Sequence, residues 1–149
     1  MIAGTIWKSL IATLGTPDLK YIKYIYQGYR VVEDANSLPC IMLEPTQNGQ
    51  PERRVNNVDD QYFNVDLYAF SSRSDHNFEK AIVGDNSYKG VLDVEQDIRA
   101  VLKSSNSLGG DVIDVRIQPT VFDVLDTTKH PVRGFVMPLQ ILYRQVDGL

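Results

Sequence analysis

The side chains of this 149-residue chain that could do chemistry are few, and their spacing joins none of them into a reactive group. Cys40 is the sole cysteine, and His76 and His130 are the sole histidines. A nucleophile needs a base beside it. Cys40 sits in the apolar run Leu38-Pro39-Cys40-Ile41-Met42-Leu43, where a thiol reads as an inert small hydrophobe. Both histidines fall in polar stretches, and no HxxxH or HxH spacing turns them into a metal pair. One cysteine excludes a cysteine-based zinc site within one chain and an internal disulfide. Asp85-Asn86-Ser87-Tyr88-Lys89-Gly90 starts like a calcium loop. It then places Lys89 where an oxygen ligand is needed and Gln96 where the bidentate acid belongs. Neither GxxxxGK[ST] nor GxGxxG occurs, so no phosphate-cradling loop is signalled. Asp18, Lys20 and Asp66 could be pressed into a metal-nuclease pattern, but that chemistry needs an acid pair and a lysine on adjacent strands. No catalytic, cofactor-binding or metal-binding residue is therefore assigned. The chain reads as a non-enzyme without cofactors.

Other residues are suited to contact rather than to reaction. Four of the eight tyrosines lie between positions 21 and 29. Tyr24, Tyr26 and Tyr29 read either as a half-buried aromatic layer over the core or as a subunit interface, because tyrosine gives a large contact area at low entropy cost. Arg53-Arg54 and the lysines at 20 and 23 are small basic clusters. They are either solvated surface charge or partners for an acidic neighbour. Lys129 and Arg133 fall in the polar loop read at 122–133. The candidate subunit-interface set is Tyr24, Tyr26, Tyr29, Arg53, Arg54, Lys129 and Arg133.

The elements that position these residues follow from periodicity. Ile2, Ile6, Leu10 and Leu14 recur at steps of four, with Trp7 and Ile11 beside them, which predicts a helix over 2–14. Gly15 is placed to end it in a left-handed cap. Residues 19–32 fit both a helical stripe and strand propensity, and an extended segment after a short turn is preferred. Leu38 to Pro45 predicts a short buried strand bracketed by prolines. The polar stretch 46–60 carries Asn48-Gly49, a hairpin-turn signal, and is expected to project as a hairpin or arm. Gln61 to Phe70 alternates cleanly, with Phe63, Val65, Leu67 and Ala69 on one face. A linker over 71–87 follows, with Phe78 to Val83 short helix or strand.

Val91, Leu92, Glu95, Ile98, Val101 and Leu102 form an amphipathic stripe that predicts a helix over about 88–104, with Asn86 or Ser87 as its N-cap. Two long alternating strands close the chain, joined by the loop at 122–133. Ile113, Val115 and Ile117 share a face of the first, and Phe135, Met137, Leu139, Ile141 and Tyr143 share a face of the second. Helices and strands do not alternate regularly. The expected fold is α+β, with a mostly antiparallel or mixed sheet flanked by two main helices, the helices packed on one side only.

Composition sets the outer bounds. The length suits one domain over 1–149. A net charge of -4 argues against a surface built to grip nucleic acid. No apolar run approaches the roughly 20 residues of a membrane span. The first residues lack a basic leader and a clear small-residue cleavage site, so no signal peptide is expected.

Lys89-Gly90-Val91-Leu92-Asp93-Val94-Glu95-Gln96-Asp97-Ile98, the strand at 112–118, and the run from Val132-Arg133-Gly134-Phe135 through Leu142-Tyr143-Arg144-Gln145 resemble the small neck and tail-completion proteins of tailed bacteriophages. Within that group the chain is most similar to tail terminators. The Leu38-Pro39-Cys40-Ile41 and Val65-Asp66-Leu67-Tyr68 strands occur in the same order there. The resemblance covers about residues 2–146 and rests on hydrophobic patterns. It implies an α+β fold and a homohexameric ring at the head-proximal end of the tail tube. Such a ring stops tube growth and meets the head connector, while DNA passes through its lumen without specific binding. The implied partners are copies of the chain itself, the tail tube protein and the connector or stopper proteins. The implied location is the virion, after assembly in the host cytoplasm. A head-completion or stopper protein is the nearest alternative. A non-viral α+β binding module and a small metal-dependent enzyme are alternatives of other classes.

Overall fold

The computed structural model describes residues 2–30, 37–53, 58–71, 82–84, 89–110, 112–125 and 132–146. Helix α1 spans Ile2–Leu14. Its Ile6, Leu10 and Leu14 are buried, as the four-residue step requires. The left-handed cap expected at Gly15 is not formed. Gly15 keeps negative φ and its N–H reaches back to the carbonyls of Ile11 and Ala12 at 3.0 and 3.2 Å. Pro17, which cannot continue a helix, opens a short 3-10 turn over Pro17–Leu19 instead.

Strand β1 is Tyr24–Gln27, so the ambiguous segment is extended. Strand β2 runs Cys40–Arg53, much longer than the strand expected between two prolines. Strand β3 is Val58–Phe70. The two pair antiparallel, but Asn48-Gly49 is not a turn between them, and β3 stays paired with β6 out to Val58, so that side of the expected arm lies within the sheet. Asn48 lies opposite Phe63 and Gly49 opposite Tyr62, within the ladder. Register shifts between Pro45 and Gln47, and between Gly49 and Glu52, absorb the prolines that a regular ladder would reject.

Helix α2 is Val91–Ser104. Its N-cap is Gly90, not Asn86 or Ser87, which lie outside the described residues. Val91, Val94, Ile98, Val101 and Leu102 are buried, but Leu92 is 41% exposed and leaves the expected stripe. Gly90 is required by close approach. A Cβ there would collide with the Ile82 carbonyl oxygen and the Gly84 nitrogen, both backbone atoms that cannot swing aside.

The penultimate long strand is broken in two. Strand β4 is Asp114–Ile117 and strand β5 is Val121–Leu125, so part of the expected loop at 122–133 is strand. Both pair antiparallel with β6, Val132–Val146, along successive stretches of the same edge. The break falls at Gln118-Pro119-Thr120, where proline interrupts the ladder and Gln118 N–H still bonds Pro138 O at 2.9 Å. The six-stranded sheet has the order β1-β2-β3-β6-β4, with β5 also on β6, and only β1–β2 is parallel. It is the mixed sheet with two helices expected of an α+β fold.

The main core lies between one face of the sheet and the helices. Ile41, Leu43, Val65, Leu67, Ala69, Phe135, Met137, Leu139 and Ile141 meet α1 and α2 there. Polar fasteners tie the layers. Arg99 donates to Glu95 Oε1 at 2.6 and 2.8 Å, and Thr120 Oγ1 donates to the same oxygen at 3.0 Å, which holds α2 to the β4–β5 break. A second small cluster, Leu38, Cys40, Met42 and Phe70, lies on the other face under Tyr26 and Tyr68. Among the described residues, no helix is long and apolar enough to cross a membrane.

The close approach at Gly90 yields a test. Gly90→Ala should destabilise the protein by about 1–3 kcal/mol, the usual cost of forcing extra volume into a filled site. Urea unfolding monitored by circular dichroism would measure it. Gly4→Ala, where an added Cβ meets nothing within 4 Å, should show no such loss.

Candidate assembly interface

The tyrosine cluster divides across the sheet. Tyr21 turns to the helix side, where its hydroxyl donates to Asp97 Oδ2 at 2.7 Å and Lys89 Nζ sits 5.0 Å from its ring. Burial, and then the Asp97 carboxylate, push its phenol well above the usual range. Tyr21 is thus a structural fastener between the segment before β1 and α2. Strand alternation sends Tyr24 and Tyr26 to the face away from the helices.

On that second face the aromatics pack on one another. Tyr24 and Tyr26 stack with ring centroids 5.6 Å apart and planes 20° apart. Tyr29 meets Tyr68 of β3 edge-on, at 4.7 Å and 63°. The Arg30 guanidinium lies 4.4 Å above the Tyr26 ring and donates to Gln27 O at 3.1 Å. Gly28, at φ +94°, makes the turn that carries Tyr29 back over the sheet. The Tyr29 N–H then donates to Glu44 Oε2 at 2.8 Å. Tyr24 is 52% exposed and Tyr29 44% exposed, although both are large aromatics.

Beside the aromatics lie two carboxylates. Glu44 and Asp66 are direct cross-strand partners. Like charges so placed repel. Burial, and then the Glu44 charge, raise the Asp66 carboxyl above its ordinary range. Burial, with the Asp66, Tyr29 and Glu44 groups, also raises the Tyr68 phenol. Further along the same face Arg116 lies 5.7 Å from the Tyr62 ring centroid and donates to its hydroxyl at 3.1 Å.

The other sequence-predicted residues are scattered. Arg53 ends β2 opposite Asp59. Arg133, on β6 opposite Val124, offers its carbonyl to the Ser71 N–H at 3.0 Å and to the Ser71 hydroxyl at 3.2 Å. Arg54 and Lys129 lie outside the described residues, as do His76, His130 and Asp85 to Tyr88. The structure brings together Tyr24, Tyr26 and Tyr29 but does not join them to Arg53 or Arg133. Tyr68, Glu44, Asp66 and Arg30 complete the tyrosine patch and were not singled out as its partners. Only strand register brings them there, although the alternation of β3 already put Asp66 and Tyr68 on one face.

Among the described residues no reactive group assembles on either face. Asp66 lies on the open face, whereas Asp18 lies across the sheet beside Asp97 of α2, so the nuclease-like set is not brought together. Cys40 is buried, and burial pushes its thiol up to about 12, far from a reactive thiolate at neutral pH. Among the described residues no group of three or more His, Cys, Asp or Glu side chains could hold a metal. Compared with known proteins, the chain matches no family model, and no curated protein matches it.

The Asp66 carboxyl generates a pH prediction. Its folded pKa lies above its unfolded one, so the folded protein holds this proton more tightly. Stability from this group is therefore present at low pH and falls as pH rises from the ordinary Asp range through the raised value. Asp66→Asn should raise the unfolding midpoint at pH 7 relative to the parent chain. The gap should close below about pH 3.5, where Asp66 is neutral in both states. A gap that stays constant with pH would contradict this.

Proposed function

We propose that this chain is a structural virion protein: a tail terminator that forms a ring at the head-proximal end of a phage tail tube, stops tube growth and joins the tail to the head connector. The observation that carries this reading is the exposed, prepacked tyrosine patch at the β1 edge of the sheet. Half-exposed tyrosines held by stacking are preorganised for a protein surface, because little side-chain entropy is left to lose on contact. The α+β fold agrees with the resemblance in the chain's hydrophobic patterns. The ring is a homohexamer in this reading, and its partners are the tail tube protein and the connector or stopper proteins. A net charge of -4 suits a lumen through which DNA slides without tight phosphate contacts. A stopper of the neck would use the same ring architecture on the same axis.

A second reading has its own observation. A cleft of about 400 Å³ opens between the 3-10 turn and α2, lined by Asp18, Asp97, Ala100, Val101 and Ser104. That volume falls within the range of small-ligand sites. A monomeric α+β binding module would use it.

Mixing the purified protein with polymerising tail tube protein separates the two. A terminator should shorten the tubes and appear by electron microscopy as a ring at one end. Tyr29→Ala should weaken this capping by roughly 1–2 kcal/mol, about tenfold in the concentration required. Tubes of unchanged length, with the protein free in solution, would move the reading to the binding module.

A further inference from the structure

Among the described residues, the two lateral edges of the sheet are left uncovered in a complementary way. Seven large hydrophobic side chains are exposed among the described residues, and four of them lie in or beside these edge strands. Tyr24 (52%) lies in β1, and Tyr29 (44%) is carried back from its end over the face onto Tyr68. Ile113 (45%), Val121 (58%) and Phe122 (44%) lie along the opposite edge, made by β4, β5 and the residue before β4. An apolar edge strand is a template for pairing with another chain, and proteins normally guard it with charge, proline or a bulge. The rest of each edge is guarded here. β4 carries Asp114 and Arg116, and the part of β2 beyond β1 carries Pro45, Pro51 and two register shifts. β1 (Tyr-Ile-Tyr-Gln) has no charge, and β5 (Val-Phe-Asp-Val-Leu) has one.

The two unguarded strands match in three further respects. First, they lie at the same level. One row runs Tyr24, Cys40, Phe70, Gly134, Asp123, and the next but one runs Tyr26, Met42, Tyr68, Val136, Val121. Second, their directions are opposite. β1 is parallel to β2, and three successive antiparallel pairings from β2 through β3 and β6 leave β5 antiparallel to β1. Third, their free backbone groups alternate outward. The Gly28 N–H bonds Leu43 O at 2.7 Å, so within β1 the amides of Ile25 and Gln27 point away from β2.

We propose that the β1 edge of one copy pairs antiparallel with the β5 edge of the next, extending the sheet from copy to copy. The contact is heterologous, since it uses two different surfaces of each chain. The occupant of each edge is a second copy of this chain, because each edge finds its complement in length, level and direction on the same molecule. The inference deepens the ring reading above and rests on it for closure. It also names the residues that this level brings together, Val121 with Tyr26 on the open face and Phe122 with Ile25 on the helix face.

A heterologous contact has a signature in mixing. Val121→Lys blocks only the β5 edge, and Tyr24→Lys blocks only the β1 edge. Light scattering of the full chain across concentration should show species larger than a dimer for the parent, and monomers for each variant. An equal mixture of the two variants should give a dimer and nothing larger, because one intact edge of each kind remains. Leu92→Lys, on an exposed position of α2, should assemble as the parent does. Matching unfolding midpoints establish that the variants are folded, and Val121→Glu or Tyr24→Glu replaces any that is not. A parent that stays monomeric, a single variant that assembles normally, or a mixture that stays monomeric would each overturn the pairing. Rings that survive both variants would sink the edge contact and leave the ring reading standing. A parent that pairs through these edges yet ignores tail tubes would do the reverse.

Discussion

The rest of the structure depends on the two-residue repeat along β6. This strand is hydrogen-bonded on both sides, to β3 on one and to β4 and β5 on the other. Phe135, Met137, Leu139, Ile141 and Tyr143 all point to the helix side and are buried. Each such side chain contributes about 1.5–3 kcal/mol by leaving water. A slip of one residue would turn all five to the opposite face, so the register of three neighbouring strands is set by this one. The phenol of Tyr143 enters the core without penalty, because its hydroxyl meets Asn48 Oδ1 at 2.8 Å and Gln61 Oε1 at 3.0 Å. Those two bonds also hold the β2–β3 pair to the end of β6.

With one face committed to the helices, polar groups sort by side. On the covered side the charges are satisfied: Glu95 by Arg99 and Thr120, and Asp97 by Tyr21 and Lys89. On the open side Glu44 faces Asp66 across a strand pair, and aromatic rings lie half in water. The open face also pairs charges, Asp114 with Arg116 and Asp60 with Arg144, but leaves Glu44 and Asp66 repelling beside the exposed tyrosines.

Much of this was legible in the alternation of residues. α1, the core face of β3 and the core face of β6 follow directly from periods of 3.6 and 2, because each buries one continuous stripe. The failures share a cause. Pro45 and Asn48-Gly49 signal strand ends locally, yet β2 runs through them because β3 offers a continuous partner and two bulges take up the mismatch. Leu92 fits the apolar stripe of α2 and is exposed because the sheet beneath covers only part of that helix. β5 reads as loop because Asp123 and the polar residues after it mask a short strand that only β6 makes possible. The tyrosines were visible as a cluster, but their division between Tyr21 inside and Tyr24, Tyr26 and Tyr29 outside depends on where β1 begins. The carboxylate pair beside them belongs to two strands and is joined only by register.

Exposed edges invite pairing with other chains, so their length matters for the assembly proposed above. Here the unguarded strands are four and five residues long. A pairing of that length is marginal by itself, as isolated two-stranded units are. Two copies therefore associate through one such contact only weakly, at concentrations well above those at which a closed ring persists. Closing a ring changes the balance, because the last subunit makes two contacts at once and the second forms at a high effective concentration. In the proposed ring, short edges and closure together would give weak association along the way and a stable end state. Longer edges would lower the barrier to open-ended growth, the failure that a terminator of polymerisation must itself avoid.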